Sequence, residues 1–292
     1  MNKIICIVGP TGVGKTKLSI ELSKRLDGEV INCDSTQVYE KMNIATAKVT
    51  EEEMEGIRHH LLSFKKLEED YTVYDFQRDA RSCIDDILKR GKTPILVGGT
   101  GLYLKAVLYN YIFENQEEVI HYTESDEVLY NRLLSLDPNT KIHRNNRKRV
   151  ERYLSYYDTT GKKLNEKEKA KPIYDFCLIG LTTDREILYN RINKRVDVML
   201  EEGLLEEAKM IYDSNIRTKA VLTPIGYKEL FPYFDGNSTL EESIERIKKN
   251  SRHYAKRQYT WFNNQMQVTW FSVDFENFNE TVEEIYQYTM KI

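Results

Sequence analysis

Eight residues set the terms for the rest of the chain: "GPTGVGKT", Gly9 to Thr16. They fit the pattern G-x-x-x-x-G-K-[ST], follow the apolar run "IICIV" (4–8) and lead into the amphipathic stretch "KLSIELSKRL". A strand, a glycine loop and a helix in that order make the phosphate-binding unit of an α/β sheet. Gly9, Gly12 and Gly14 let the backbone turn tightly and aim N–H groups inward, with Pro10, Thr11 and Val13 completing the loop. A helix starting near Lys15 adds its positive amino-terminal end. Lys15 is placed to reach an outer phosphate and Thr16 to offer a hydroxyl to Mg²⁺. The motif carries a nucleotide-binding, nominally ATP-binding, signature. It leaves open whether the phosphates are transferred, hydrolysed or lost as a leaving group.

Further apolar runs at "EVINC" (29–33), "PILVGG" (94–99), "FCLIGL" (176–181) and "VTWFSV" (268–273) alternate with helical patterns such as 74–90. Unbroken apolar strands between helices predict a parallel sheet covered on both faces, a three-layer α/β core of the phosphate-loop NTPase type. Residues 111–171 are charged, hold no strand pattern and read as a helical insertion between the third and fourth strands. The core is then 1–110 with 172–292, mostly helical over 184–262 with a break at "TPIGY" (223–227). No apolar run approaches the roughly 18 residues of a spanning helix. Cys6, Cys33, Cys83 and Cys177 form no C-x-x-C, and the five histidines have no zinc spacing. Four buried thiols in a reducing cytoplasm are expected.

The second apolar run ends in "CDSTQVY" (33–39), which places Asp34 past the carboxyl end of a strand, where α/β sheets hold ligands. A carboxylate there can hold Mg²⁺, accept a proton, or cap a following helix through Asp34 or Ser35. The third run ends "PILVGGTGLY" with no Asp, which weakens an ATPase or GTPase reading. It ends instead in a second tight turn, Gly98 to Gly101, that sets the Thr100 hydroxyl near the phosphates.

The net charge is −3, so an anionic partner must be held by local patches. Residues 141–171 carry eleven Lys and Arg against four Asp and Glu. Residues 246–257, "RIKKNSRHYAKR", carry six basic residues and no acid, and "QYTWF" follows. Basic clusters beside aromatic rings suit a nucleic acid with unstacked bases, although either patch alone also fits a solvated helix face.

The chain resembles the bacterial tRNA dimethylallyltransferases, also called isopentenyl-tRNA transferases. The resemblance runs through "GPTGVGKT" (9–16), "CDSTQVYEKMNIATAK" (33–48), "RHHLLSF" (58–64), "YTVYDFQRDA" (71–80), "GKTPILVGGTGLYLKAVL" (91–108), "RINKRVDVML" (191–200), "IGYKEL" (225–230) and "YAKRQYTWF" (254–262), in that order. It implies prenylation of the exocyclic N6 amine of adenosine 37 of a tRNA, with dimethylallyl diphosphate as donor and Mg²⁺ as cofactor. The phosphates are then a leaving group. By resemblance Asp34 is the base and Thr100 lies across from it, near the amine and the leaving oxygen. Ser35, Thr36 and Gln37 meet the target nucleotide, an arginine of the Arg191–Arg195 helix holds the diphosphate, and Arg149, Arg152, Lys256, Arg257 and Gln258 face the tRNA. A cytoplasmic monomer, away from any membrane, is expected.

The family pattern "HPND" followed by "QR..R" reads here "HRNNRKRVER" (143–152), with Arg144 for the proline and Asn146 for the acid, while Arg149 and Arg152 keep their spacing. The segment 110–127 is acidic and lacks the family's arginine. A small-molecule kinase, which needs neither basic patch, and a nucleotide-sensing RNA-binding protein, which would bind ATP or GTP tightly without turnover, are the alternatives.

Overall fold

The computed structural model describes residues 3–111, 120, 122–163 and 171–291. The elements are β1 (Ile4–Val8), α1 (Lys15–Arg25), β2 (Gly28–Asn32), α2 (Glu51–Met54), β3 (His59–His60), α3 (Val73–Lys89), β4 (Thr93–Val97), α4 (Gly101–Leu108), α5 (Asp126–Leu136) and α6 (Arg147–Thr160). They continue with β5 (Phe176–Thr182), α7 (Arg185–Glu201), α8 (Leu204–Asp213), α9 (Lys219–Leu222), α10 (Phe231–Phe234), α11 (Leu240–Gln265), β6 (Thr269–Ser272) and α12 (Phe278–Lys291).

All strand pairs are parallel, in the order β3-β2-β4-β1-β5-β6. Side chains alternate across the sheet, and both faces are buried. Ile4, Cys6, Val8, Ile31 and Leu96 pack with Phe76, Ile84, Val107 and Phe262. Ile5, Ile7, Val30 and Ile95 pack with Leu18, Leu22, Ile192 and Val282. This two-sided burial is why the strands read as unbroken apolar runs. The helix over 73–89 starts at a capping box, Thr72 with Asp75, which satisfies free N–H groups at its first turn.

The sequence reading missed one strand. β3 is two histidines paired with Val30 and Ile31, too short to show a period. The run at 93–97 is therefore β4, and the insertion falls between β4 and β5. Of the cysteines, Cys6, Cys33 and Cys177 are buried and Cys83 is half-buried. No helix among the described residues is long and apolar enough to cross a membrane.

The chain divides into two units, 1–110 with 172–292, and 111–171. The second is a pair of helices, α5 and α6, around Leu129, Leu133, Val150, Tyr153 and Leu154. Its residues 112–119, 121 and 164–170, which include half of the acidic segment 110–127, lie outside the described residues.

Candidate active site

The glycine loop joins β1 to α1 as the motif requires. Gly14 stands at the N-cap of α1 with φ 98°, a left-handed conformation that glycine adopts at little cost. Lys15 Nζ lies back over the loop, donating to the carbonyls of Gly9 (3.1 Å) and Pro10 (2.7 Å). Val13 is fully buried and Gly9 and Pro10 are buried, so these three shape the loop from below. Thr11, Gly12, Gly14, Lys15 and Thr16 line a cavity of about 1260 Å³.

Two arginines of α7 close over the loop. Arg191 donates to the Gly12 carbonyl (3.2 Å) and Arg195 to the Thr11 hydroxyl (3.4 Å). Burial lowers the pKa of both. Burial, reinforced by Arg195, brings Lys15 down to about 7, with Asp34 opposing. The cations crowd one another, so a diphosphate placed among them would relieve the crowding.

Asp34 lies just past β2 and lines the same cavity with Ser35, Thr36 and Gln37. No α-helix follows it. Asp34 Oδ1 instead accepts from the Thr36 N–H (2.9 Å) and the Thr36 hydroxyl (2.6 Å), closing an Asx turn. Asn32 holds the backbone of Asp34 from behind, at 3.2 and 3.3 Å. Asp34 Oδ2 has no hydrogen-bond partner among the described residues. The helix-cap reading therefore fails: one oxygen closes a turn and the other is left free.

β4 lies between β1 and β2, so its carboxyl end meets both the glycine loop and the Asp34 turn. The Thr100 hydroxyl accepts from the Ser35 N–H at 3.3 Å and makes no cap bond to its own helix α4. A Cβ on Gly99 would stand 1.9 Å from Gln258, and one on Gly101 would stand 2.0 Å from Trp261. The glycines of "GGTG" are there to admit α11.

Gln258 departs from the sequence reading. It is 5% exposed, and its amide is used twice. Oε1 accepts from the Thr11 N–H (2.9 Å) and Nε2 donates to the Gly99 carbonyl (3.2 Å). It braces the phosphate loop against β4 instead of presenting its amide at the surface, and one loop N–H is thereby committed to protein. The signal was available: Ala255, Gln258 and Phe262, spaced i, i+3 and i+7, form the buried stripe of α11.

Residues 37–265 match the sequence model of the IPP transferase family. The chain belongs to that family. The tRNA dimethylallyltransferase of Anoxybacillus flavithermus is 50% identical over 298 residues, 98% of this chain and 96% of that protein. That of Geobacillus thermodenitrificans is 49% identical over 302 residues, again 98% and 96%. Among solved structures, the full-length tRNA isopentenylpyrophosphate transferase of Bacillus halodurans superposes with a TM-score of 0.78 at 45% identity, covering 100% of this chain and 96% of that one. A eukaryotic dimethylallyltransferase acting on tRNA gives 0.84 at 35% identity, covering 97% and 77%.

Tyr254, in the family's "YAKRQYTWF" stretch, was missed as a site residue. It lines the cavity, and burial raises its pKa. Lys256 is exposed on α11; Arg257 is exposed and lines the cavity. In the other unit, Arg149 and Arg152 are exposed on α6, whose N-cap is Asn146 accepting from the Arg149 N–H. Asparagine caps as well as the acid it replaces, so this departure from the family pattern costs the helix nothing.

Proposed function

We propose that this chain transfers a dimethylallyl group from dimethylallyl diphosphate to the N6 amine of adenosine 37 of tRNA, releasing diphosphate. One observation carries the reading beyond family membership: a single cavity is lined by both the phosphate loop and the Asp34 turn. A diphosphate and a nucleobase can therefore meet there.

The allylic C–O bond breaks as the N6–C bond forms, and the diphosphate leaves with the electron pair. Lys15, Arg191 and Arg195 face the charge that grows on it, held in place before the reaction starts. The adenine amine is a weak nucleophile because its lone pair is delocalised into the ring. Asp34 Oδ2 takes its proton as nitrogen attacks, while Oδ1 stays fixed to Thr36. Thr100, set beside the Asp34 turn by the Ser35 bond, stands near amine and leaving oxygen. A stacked base cannot reach Asp34, so the adenosine enters flipped out of the anticodon loop.

The donor set suits Mg²⁺. Thr16 is exposed in the cavity, and the described residues hold no cluster of three or more His, Cys, Asp or Glu. A small hard cation that keeps water and takes most ligands from substrate phosphates needs no more from the protein. When bound, it neutralises charge on the departing diphosphate. Alongside this reading we propose a cytoplasmic protein that acts as a monomer.

The test is intact mass of tRNA after incubation with dimethylallyl diphosphate and Mg²⁺, followed by nuclease mapping. One prenyl increment on the adenosine beside the anticodon is expected. Phosphoryl transfer from ATP without any tRNA product would overturn the reading.

A further inference from the structure

The "IGYKEL" stretch (225–230) takes no part in this chemistry, yet its residues close around a loop that does line the cavity. Glu207 on α8 points its carboxylate at residues 43–45. It accepts from the backbone N–H groups of Asn43 (2.8 Å), Ile44 (3.0 Å) and Ala45 (3.1 Å), and from the Tyr227 hydroxyl (2.8 Å). Gly226, at φ 126°, comes so close that a Cβ there would stand 2.9 Å from the Ala45 Cβ. Glu229 ties the stretch to α11, accepting from the Gly226 N–H and from Asn250, both at 2.9 Å.

The far side of the same loop holds Gln37. Its Nε2 donates to the carbonyls of Thr46 (3.0 Å) and Ala47 (3.2 Å). Ala47 sits at φ 48°, a left-handed conformation that non-glycine residues rarely adopt and that persists only when its surroundings enforce it. Lys48 completes the enclosure, donating to the Tyr39 carbonyl (2.6 Å), Ser63 (2.8 Å) and Asn43 (3.0 Å).

We infer that Glu207, held by Tyr227, is a positioning residue: it fixes the 43–47 loop and, through that loop's carbonyls, the amide of Gln37 against the target nucleotide. This rests on the reading that Gln37 meets the tRNA base. Three N–H donors and one hydroxyl converge on the carboxylate, so the position requires an acceptor on both oxygens. Glutamine has the same shape but turns an NH₂ donor toward donors.

The experiment compares Glu207→Gln and Tyr227→Phe by amide hydrogen exchange and by kinetics on an anticodon stem-loop. In Glu207→Gln, exchange over 43–47 rises about tenfold or more, and KM for the stem-loop rises by about ten- to a hundredfold, the scale of lost hydrogen bonds to a charged group. The Kd of dimethylallyl diphosphate and kcat stay within roughly twofold, within the usual spread of single measurements of a remote change. Tyr227→Phe, which loses one donor only, moves the same way and less, and serves if Glu207→Gln does not fold. On a Gln37→Ala background, Glu207→Gln adds little, because both act through one amide. Unchanged exchange overturns the clamp; raised exchange with an unchanged KM, or with effects that add to Gln37→Ala, overturns the positioning role. A wild-type chain that prenylates no tRNA defeats the functional reading instead, and the exchange data still judge the clamp.

Discussion

At the amino ends of the strands, cations meet acids. Lys3 lies 3.8 Å from Asp175, Lys92 lies 2.6 Å from Asp27, and Arg90 grips both oxygens of Glu29, which also meets His60 at 2.8 Å. At the carboxyl ends of the same strands, Lys15, Arg191 and Arg195 have no carboxylate within ion-pair distance among the described residues. They rest on backbone carbonyls, a hydroxyl and, for Arg191, the face of Phe275 at 3.7 Å. The pKa directions follow. Glu29 is brought down to about 2, first by its bonds to Arg90, whereas the site cations are pushed down by burial. Charge settled within the protein stabilises the fold; charge left without a counter-ion marks where a substrate supplies one.

The sharpest break between the two edges comes from removing charge at the site without changing shape. Asp34→Asn keeps the Asx turn, because asparagine makes the same bond to Thr36. It loses the proton acceptor. Single-turnover prenylation should fall by roughly two to four orders of magnitude, the usual worth of a general base, with binding of both substrates within several-fold. A rate restored by excess Mg²⁺ would make Asp34 a metal ligand, and an unchanged rate would leave it only the turn.

The mirror-image experiment is at the other edge. Arg90→Ala leaves Glu29, 5% exposed, without its strongest partner. Stability should drop measurably, but by less than for a fully buried pair, since the arginine side chain is itself 32% exposed and solvent screens the contact. The rate of prenylation by the folded protein should not change. Because the folded pKa of Glu29 is depressed, its contribution is complete above the ordinary carboxyl value of 4.5 and disappears as pH falls through about 2. Acid unfolding of Arg90→Ala should lose that dependence. Thermal melts across pH with rates measured in parallel decide the matter; a rate loss matching the stability loss would show the two edges to be coupled.

Lys15 gives a smaller effect with opposite signs in two measurements. Its folded pKa near 7 lies below the ordinary 10.5, so the unfolded chain holds the extra proton between those values. Stability of the free protein from this group therefore rises with pH from about 7 to 10.5. Affinity for the diphosphate runs the other way, because the neutral amine has no charge to offer. The kcat/KM for dimethylallyl diphosphate should fall about tenfold per pH unit above this pKa, which reports the free enzyme. Lys15→Arg should remove the fall. A flat profile for the native protein would mean that Lys15 keeps its proton to higher pH.

How much of this edge could be read from the chain alone depended on the range of the interaction. The glycine loop, the Asp34 turn and "GGTG" are local patterns, each with its own backbone reason, and they were legible. β3 was not, since two histidines carry no periodicity and become a strand only by pairing with β2. Gln258 was misread because its neighbours Lys256 and Arg257 dominate the composition, while its own position follows the buried stripe of α11. Glu207 lay out of reach: three of its four donors are backbone N–H groups 162 to 164 residues away, and no side-chain pattern announces them.

The smallest effect tests whether the paired and unpaired rule extends to the surface. On α6, Arg147 is paired with Asp126 (2.6 Å) and Glu151 (2.7 Å), while Arg149 and Arg152 are exposed with no carboxylate partner among the described residues. On α11, Lys248 is paired with Asp197 (2.6 Å), while Lys256 and Arg257 are exposed and have no such partner. If unpaired cations await phosphates, log K for tRNA falls linearly with log salt, and reversing Arg149, Arg152, Lys256 or Arg257 to Glu flattens the slope by about one per lost contact. Affinity at moderate salt drops by roughly three- to tenfold for each, a typical cost for one phosphate contact. Reversing Arg147 instead should unsettle the α5–α6 pair, visible as a lower melting temperature, and leave the slope where it was. Prenyl diphosphate binding should be indifferent to Arg149, Arg152 and Lys256, which do not line the cavity, whereas Arg257 does. Filter binding of labelled tRNA across a salt series decides it. Equal slopes for Arg147→Glu and Arg149→Glu would show that pairing within the protein does not sort structural from substrate-facing charge on this surface.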